Sequence, residues 1–146
     1  MNFIDSVILI SLPHHSRDNG ELVVMESGNI PFSIARVFTV LADNGAIRGN
    51  HAHRHCSQFL HCTTGVIEVL CDDGEQEKTY ILDSSDQGLF IPPGIWAQQI
   101  YKKENSILTV LCNKKYDEED YLRDYSKFID FRKNNTLMIA SRNPND

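Results

Sequence analysis

Along the chain, β-branched and aromatic residues gather in short runs in which apolar and polar positions alternate, with turn chemistry between them. The runs predict strands near 6–12, 21–26, 32–41, 47–53, 58–63, 65–71, 77–83, 88–92 and 106–112. Short strands at that spacing suit a sandwich or barrel. The clearest local signal is the run Val66 to Cys71, then Asp72-Asp73-Gly74, then Thr79 to Leu82. Asp-Gly supplies the positive φ that a hairpin turn needs. Pro92-Pro93-Gly94 is a turn, because the second proline has no N–H to give a ladder. After residue 116 the period changes. Asp117, Glu118, Glu119 and Asp120 load what reads as the first turn of a helix. Tyr121, Tyr125 and Phe128 then recur at i, i+4 and i+7, which predicts a helix over about 117–132 with a packed aromatic stripe. The polar stretch 133–146 reads as a frayed end.

Length and charge narrow this picture. A chain of 146 residues is one domain's worth, so the reading is a single unit over 1–146, β-rich over about 5–113. Lys and Arg number 14 against 20 Asp and Glu, a net charge of -6, which argues against a nucleic acid partner. The apolar run Val7 to Ile10 is short, has no basic leader and stops at Pro13, so it reads as a strand and not as a membrane span or signal peptide. Cys56, Cys62, Cys71 and Cys112 show no paired spacing, which suits reduced thiols in a cytoplasmic protein.

The stretch that carries chemistry runs from Arg48 to Leu60. His51 and His53 stand two apart on a strand, so both side chains face one side, with Cα atoms roughly 6.5–7 Å apart. The spacing His-x-His, Gln58, Gly65 resembles the first motif of the cupin superfamily. There a glutamate usually stands where Gln58 is, and the second motif ends in a histidine where this chain has Ala97. Two imidazoles, an amide and an alanine make a poor metal shell, so no metal is expected. His55 belongs to a turn, and His61 alternates away from Gln58, so neither completes one. An imidazole titrates near neutrality and can hold or release a proton at cell pH. The plainer reading is that both histidines only satisfy hydrogen bonds in a polar interior.

Four blocks carry a closer resemblance. They are Ile30 to Phe38; Arg48-Gly49-Asn50-His51-Ala52-His53 with Gln58; Asp72-Asp73-Gly74; and Tyr116 to Tyr125, which reads YDEEDYLRDY. In that order, over about 16–131, the chain resembles the cupin-fold nucleotide-sugar 3,4-ketoisomerases, the family of the WxcM-like C-terminal domain. The resemblance implies an all-β jelly roll (double-stranded β-helix) with a C-terminal helix, a homodimer, and an isomerase that needs no cofactor. The implied reaction moves the carbonyl of a dTDP-linked 4-keto-6-deoxyhexose from C4 to C3 through an enediol, on the way to a deoxyamino sugar for surface glycans. His51 and His53 are the implied acid/base pair. Arg36, Arg48, Gln58, Arg17, Tyr101 and Trp96 are the candidates for holding substrate, with core packing the stronger expectation for Trp96.

The chain departs from the family pattern in places. Asn19 stands where an arginine is common, Phe38 and Thr39 where paired tyrosines are, and Ala35 where a lysine is. Two other readings follow: a related epimerase that returns the proton to the same carbon, and a non-catalytic cupin that binds a sugar nucleotide.

Overall fold

The computed structural model describes residues 1–140. Its two five-stranded sheets are antiparallel throughout. One runs β1(Ile8–Ser11), β9(Gln87–Ile91), β6(Gln58–Thr64), β11(Ser106–Cys112), β4(Arg36–Ala42). The other runs β12(Tyr121–Leu122), β5(Ile47–His53), β10(Trp96–Tyr101), β7(Ile67–Asp72), β8(Glu77–Leu82). A separate hairpin, β2(His14–Arg17) with β3(Gly20–Val23), stands apart from both. The two sheets face each other as a jelly roll, and the helix α1(Tyr125–Ala140) packs on the outside.

Alternation sets the inside. On β7 Ile67, Val69 and Cys71 point inward, on β11 Leu108 and Val110, and they meet Leu60, Leu82 and Leu89 in one buried cluster. Burying a side chain of this kind is worth roughly 1.5–3 kcal/mol, so this layer holds the sheets together. A second cluster lies outside the first sheet, where residues from the irregular stretch after β3 cover Phe59 and Leu111 with Ile30 and Phe32.

Two strands escape the sequence pattern. β2 is wholly exposed and has no apolar face. β10 turns Ala97, Gln99 and Tyr101 inward. An amide among the inward residues breaks the apolar alternation, because this part of the interior is a cavity.

The helix begins later than the acidic run suggests. Asp117 caps a single 3-10 turn, Glu118–Asp120, by accepting from the Glu119 N–H. Tyr121 and Leu122 then form β12 against His53 and Ala52. Only after this does Asp124 accept from the Lys127 N–H and start α1 at Tyr125. Tertiary pairing outweighs local helix signals here, since Asp120 is drawn inward as a buried partner. The predicted stripe is split accordingly: Tyr125 and Phe128 lie on the helix, Tyr121 on a strand. The helix also continues through 133–140, where a frayed end is predicted, and 141–146 lie outside the described residues.

Candidate active site

The inner faces of β4, β6 and β11 on one sheet and of β5 and β10 on the other enclose a cavity of about 110 Å³. Arg48, His51, Gln58 and Gln99 bring polar atoms to its wall; Phe38, Leu60, Leu108 and Val110 supply the apolar part.

A β-bulge in β5 decides which side chains reach it. Ile47 and Arg48 pair with Ile100 and Gln99, Gly49 with Gln98, and His51 with Ala97, so Asn50 is the extra residue. Gly49 and Asn50 carry the positive φ of such a bulge, +86° and +57°. Without it, Arg48 and His51 would fall on opposite faces; with it, both line the cavity. Space at Gly49 is tight as well, since a Cβ there would lie 2.7 Å from Gln99 Oε1 and 3.0 Å from the Ala97 carbonyl.

His51 and His53 are edge-on to each other, ring centroids 5.1 Å apart, and Tyr121 touches both at 5.1 and 4.4 Å. His51 Nδ1 faces the Gly49 carbonyl at 3.1 Å, so it carries the hydrogen and leaves the Nε2 lone pair open. Burial, with the charge of His53, pulls His51 down to about 4. His53 Nδ1 lies 2.9 Å from Asp120 Oδ2. Its Nε2 is buried and has no hydrogen-bond partner among the described residues. Burial lowers the His53 pKa, and the bond to Asp120 opposes the shift. Asp120 in turn accepts N–H donors from His55 at 2.7 Å and Cys56 at 3.3 Å. These bonds, with the His53 contact, hold its carboxyl below the usual range against the cost of burial. Both rings are therefore neutral near pH 7, but only His53 has an anion behind it.

On the facing sheet Arg36, Cys112 and Gln58 sit side by side on β4, β11 and β6. Arg36 Nη2 donates to Cys112 Sγ at 3.4 Å and Gln58 Nε2 to the same sulfur at 3.6 Å. Hydrogen bonding from Cys56, then from Arg36 and Gln58, pulls the Cys112 thiol down. Arg36 Nη2 also donates to the Tyr121 hydroxyl at 3.3 Å, bridging the edges of the two sheets beside the histidines.

The remaining predicted residues divide. Trp96 is not at the cavity: it packs edge-on to Tyr125 and against Phe128, fixing the helix to the sheet. Tyr101 is fully buried in the core, four residues beyond Ala97 on β10 and so roughly 13 Å toward the far end. Arg17 lies on the exposed β2–β3 hairpin, beside a surface hollow lined by His15, Asn19 and Glu21, and this chain does not bring it to the cavity. Residues that sequence reasoning missed are Asp120, Tyr121 and Gln99. The acidic run offered a signal for Asp120, but it reads as a helix start until β12 is seen.

His53, Cys56 and Asp120 place ligand atoms within 4.8 Å of one another, the one such group among the described residues. Their chemistry suits hydrogen bonding better than a metal. His53 Nδ1 and Asp120 Oδ2 already bind each other. A hydrogen bond to Cys112 and burial push the Cys56 thiol up, away from the thiolate a metal takes.

Comparison with known proteins places the chain in a family. The family model for FdtA (WxcM-like, C-terminal) matches residues 5–133. A TDP-4-oxo-6-deoxy-alpha-D-glucose-3,4-oxoisomerase from Aneurinibacillus thermoaerophilus is 39% identical over 111 residues, 75% of this chain and 80% of that protein. The sugar 3,4-ketoisomerase QdtA from Thermoanaerobacterium thermosaccharolyticum, solved in complex with TDP, superposes with a TM-score of 0.86 at 32% identity, covering 91% of this chain and 98% of its own. The TDP-fucose-3,4-ketoisomerase WlaRA from Campylobacter jejuni gives 0.81 at 32% identity, covering 88% and 96%.

Proposed function

The chain belongs to the FdtA family of WxcM-like C-terminal domains, and from that premise we propose that it is a 3,4-ketoisomerase acting on a TDP-linked 4-keto-6-deoxyhexose, in deoxy-sugar biosynthesis. One observation carries the reading: two neutral imidazoles touch edge-on, His51 on the wall of a small cavity and His53 beside it with a buried, unpartnered Nε2 and a buried carboxylate behind it.

The chemistry follows from the substrate. A C4 carbonyl acidifies the hydrogen on C3. Removing that proton and protonating O4 gives an enediol. Losing the proton on O3 and adding one to C4 leaves the carbonyl at C3. Carbon and oxygen protons both move, while the oxidation level of the sugar as a whole is unchanged. C3 and C4 are about 1.5 Å apart, a single-bond length, so rings with centroids 5.1 Å apart reach both carbons and their oxygens. His53 is the ring built to hold the positive charge between steps, because Asp120 stabilises its imidazolium. His51, with only a carbonyl behind it, returns to the neutral state readily. Positioned acid/base groups of this kind supply about 10²–10⁴ of the rate. Gln58, Gln99 and Arg48 line the same cavity, which supports a role for them in holding sugar oxygens. Ala97, where other cupins have a histidine, leaves the cavity without a third imidazole.

A homodimer and a cytoplasmic setting belong to the same reading. Edge strand β4 turns Val37 and Leu41 to solvent, an apolar strip that a second copy would cover. The four buried cysteines are unpaired, and no helix among the described residues is long and apolar enough to cross a membrane.

The test is to supply TDP-4-keto-6-deoxyglucose in D2O and follow the sugar by NMR. The carbonyl is expected to move from C4 to C3 as deuterium enters at C4. Exchange without migration would mean an epimerase, and neither, with ligand-induced thermal stabilisation, a binding protein.

A further inference from the structure

The cavity is too small for the whole proposed substrate. At about 110 Å³ it falls well short of the few hundred Å³ that a drug-sized ligand fills. It takes a sugar ring at most, so the diphosphate and nucleoside must lie outside it. A diphosphate at the rim needs cations there, on a chain whose net charge is -6.

Arg36 does not meet that need, since its guanidinium is turned to Cys112 and Tyr121 and lies against Phe38 and Tyr116. Arg123 does. It follows β12 directly, and its guanidinium stacks 4.2 Å from the centre of the Tyr121 ring, the ring that touches both histidines. Its charge reaches both imidazoles, lowering each. The side chain is half exposed, 52%, unlike the buried His53. It is also held in place. Glu118 accepts from Nε at 2.7 Å and from Nη2 at 2.9 Å, and Tyr116 donates to the same carboxylate. This occupies one edge of the guanidinium. Among the described residues, Nη1 on the other edge has no hydrogen-bond partner. A planar cation fixed along one edge, stacked on an aromatic face and open along the other, is the arrangement that chelates phosphate oxygens.

We propose that Arg123, oriented by Glu118 and Tyr121, binds the diphosphate of the sugar nucleotide at the rim of the cavity and so sets where the sugar lies against His51 and His53. This rests on the ketoisomerase reading above, and the test separates the two.

Wild type, Arg123→Gln and Arg123→Lys are titrated calorimetrically with TDP and with thymidine, and assayed with TDP-4-keto-6-deoxyglucose. Arg123→Gln is expected to weaken TDP at least tenfold while thymidine binding stays within twofold. The loss in kcat/KM should appear in KM. Arg123→Lys, which keeps the charge and loses the fork, should fall between. The proposal is overturned if Arg123→Gln binds TDP within threefold of wild type. It is equally overturned if TDP and thymidine weaken in the same proportion as Tm falls, which would make Arg123 a structural residue. If wild type itself neither binds TDP nor turns over the sugar, the ketoisomerase reading fails first and this proposal falls with it.

Discussion

Asp120→Asn is the sharpest test of how the two imidazoles work. The carboxylate makes three contacts: His53 Nδ1 at 2.9 Å, the His55 N–H at 2.7 Å and the Cys56 N–H at 3.3 Å. All three are donors to it, so one tautomer of His53 is enforced, with the hydrogen on Nδ1 and the lone pair on Nε2. An asparagine amide has one accepting oxygen and one donating nitrogen. If the oxygen keeps the His55 N–H, the NH₂ faces His53 Nδ1 and can only donate to it. The ring must then carry its hydrogen on Nε2, which closes the atom that serves as base. The anion behind the imidazolium is lost as well. Turnover should fall by about 10²–10⁴, equivalent to roughly 3–5.5 kcal/mol of barrier. Stability should fall less, by about 1.5–3 kcal/mol for the lost charge-assisted bond, or roughly 3–12 °C in Tm. The assay is kcat measured well below Tm, paired with 15N NMR of the His53 ring nitrogens to read the tautomer. If the variant keeps kcat within threefold of wild type, or if His53 still carries its hydrogen on Nδ1, the reasoning fails.

Three further outcomes are expected. Since His51 titrates at about 4 and His53 is also depressed, kcat/KM should be flat from about pH 7.5 to 8 and fall only on the acid side, with a midpoint below the ordinary imidazole value of about 6.5; a midpoint at 6.5 or above would contradict the burial argument. The sign for stability is the same: the unfolded histidines protonate near 6.5 and the folded His51 does not until about 4, so urea midpoints should decline as pH drops through that window, by at most about 1.4 kcal/mol per unit for this group. Gly49→Ala places a Cβ against Gln99 and the Ala97 carbonyl at a φ of +86°, so it should cost about 1–3 kcal/mol in chemical denaturation and reduce kcat as Arg48 and His51 lose their shared face; a variant with wild-type stability would show that the bulge is not under steric control.

Sequence reading works where period and spacing are the physics. Alternation within β5, β6 and β11 places side chains on faces whatever the strands pair with, so His51, His53 and Gln58 were legible as one inward set. Trp96 and Tyr101 show where such reading stops, because an aromatic side chain has the same pattern whether it lines a cavity or fills a core; here the helix claims one and the far end of the barrel the other. Arg48 shows the opposite case, since strict alternation would send it away from His51 and only the extra residue at Asn50 brings both to the cavity.

From the order of residues alone came an all-β domain, a two-histidine centre with no third imidazole, and the resemblance of four blocks to a ketoisomerase family, because local periodicity and motif spacing are written in one dimension. The folded chain decided the rest. Asp120 sits 67 residues from His53, and local acidic chemistry favours a helix there until β12 pairs with β5. Which carboxylate stands behind which imidazole is a matter of contact between distant segments, and contact free energy exists only once the sheets have closed.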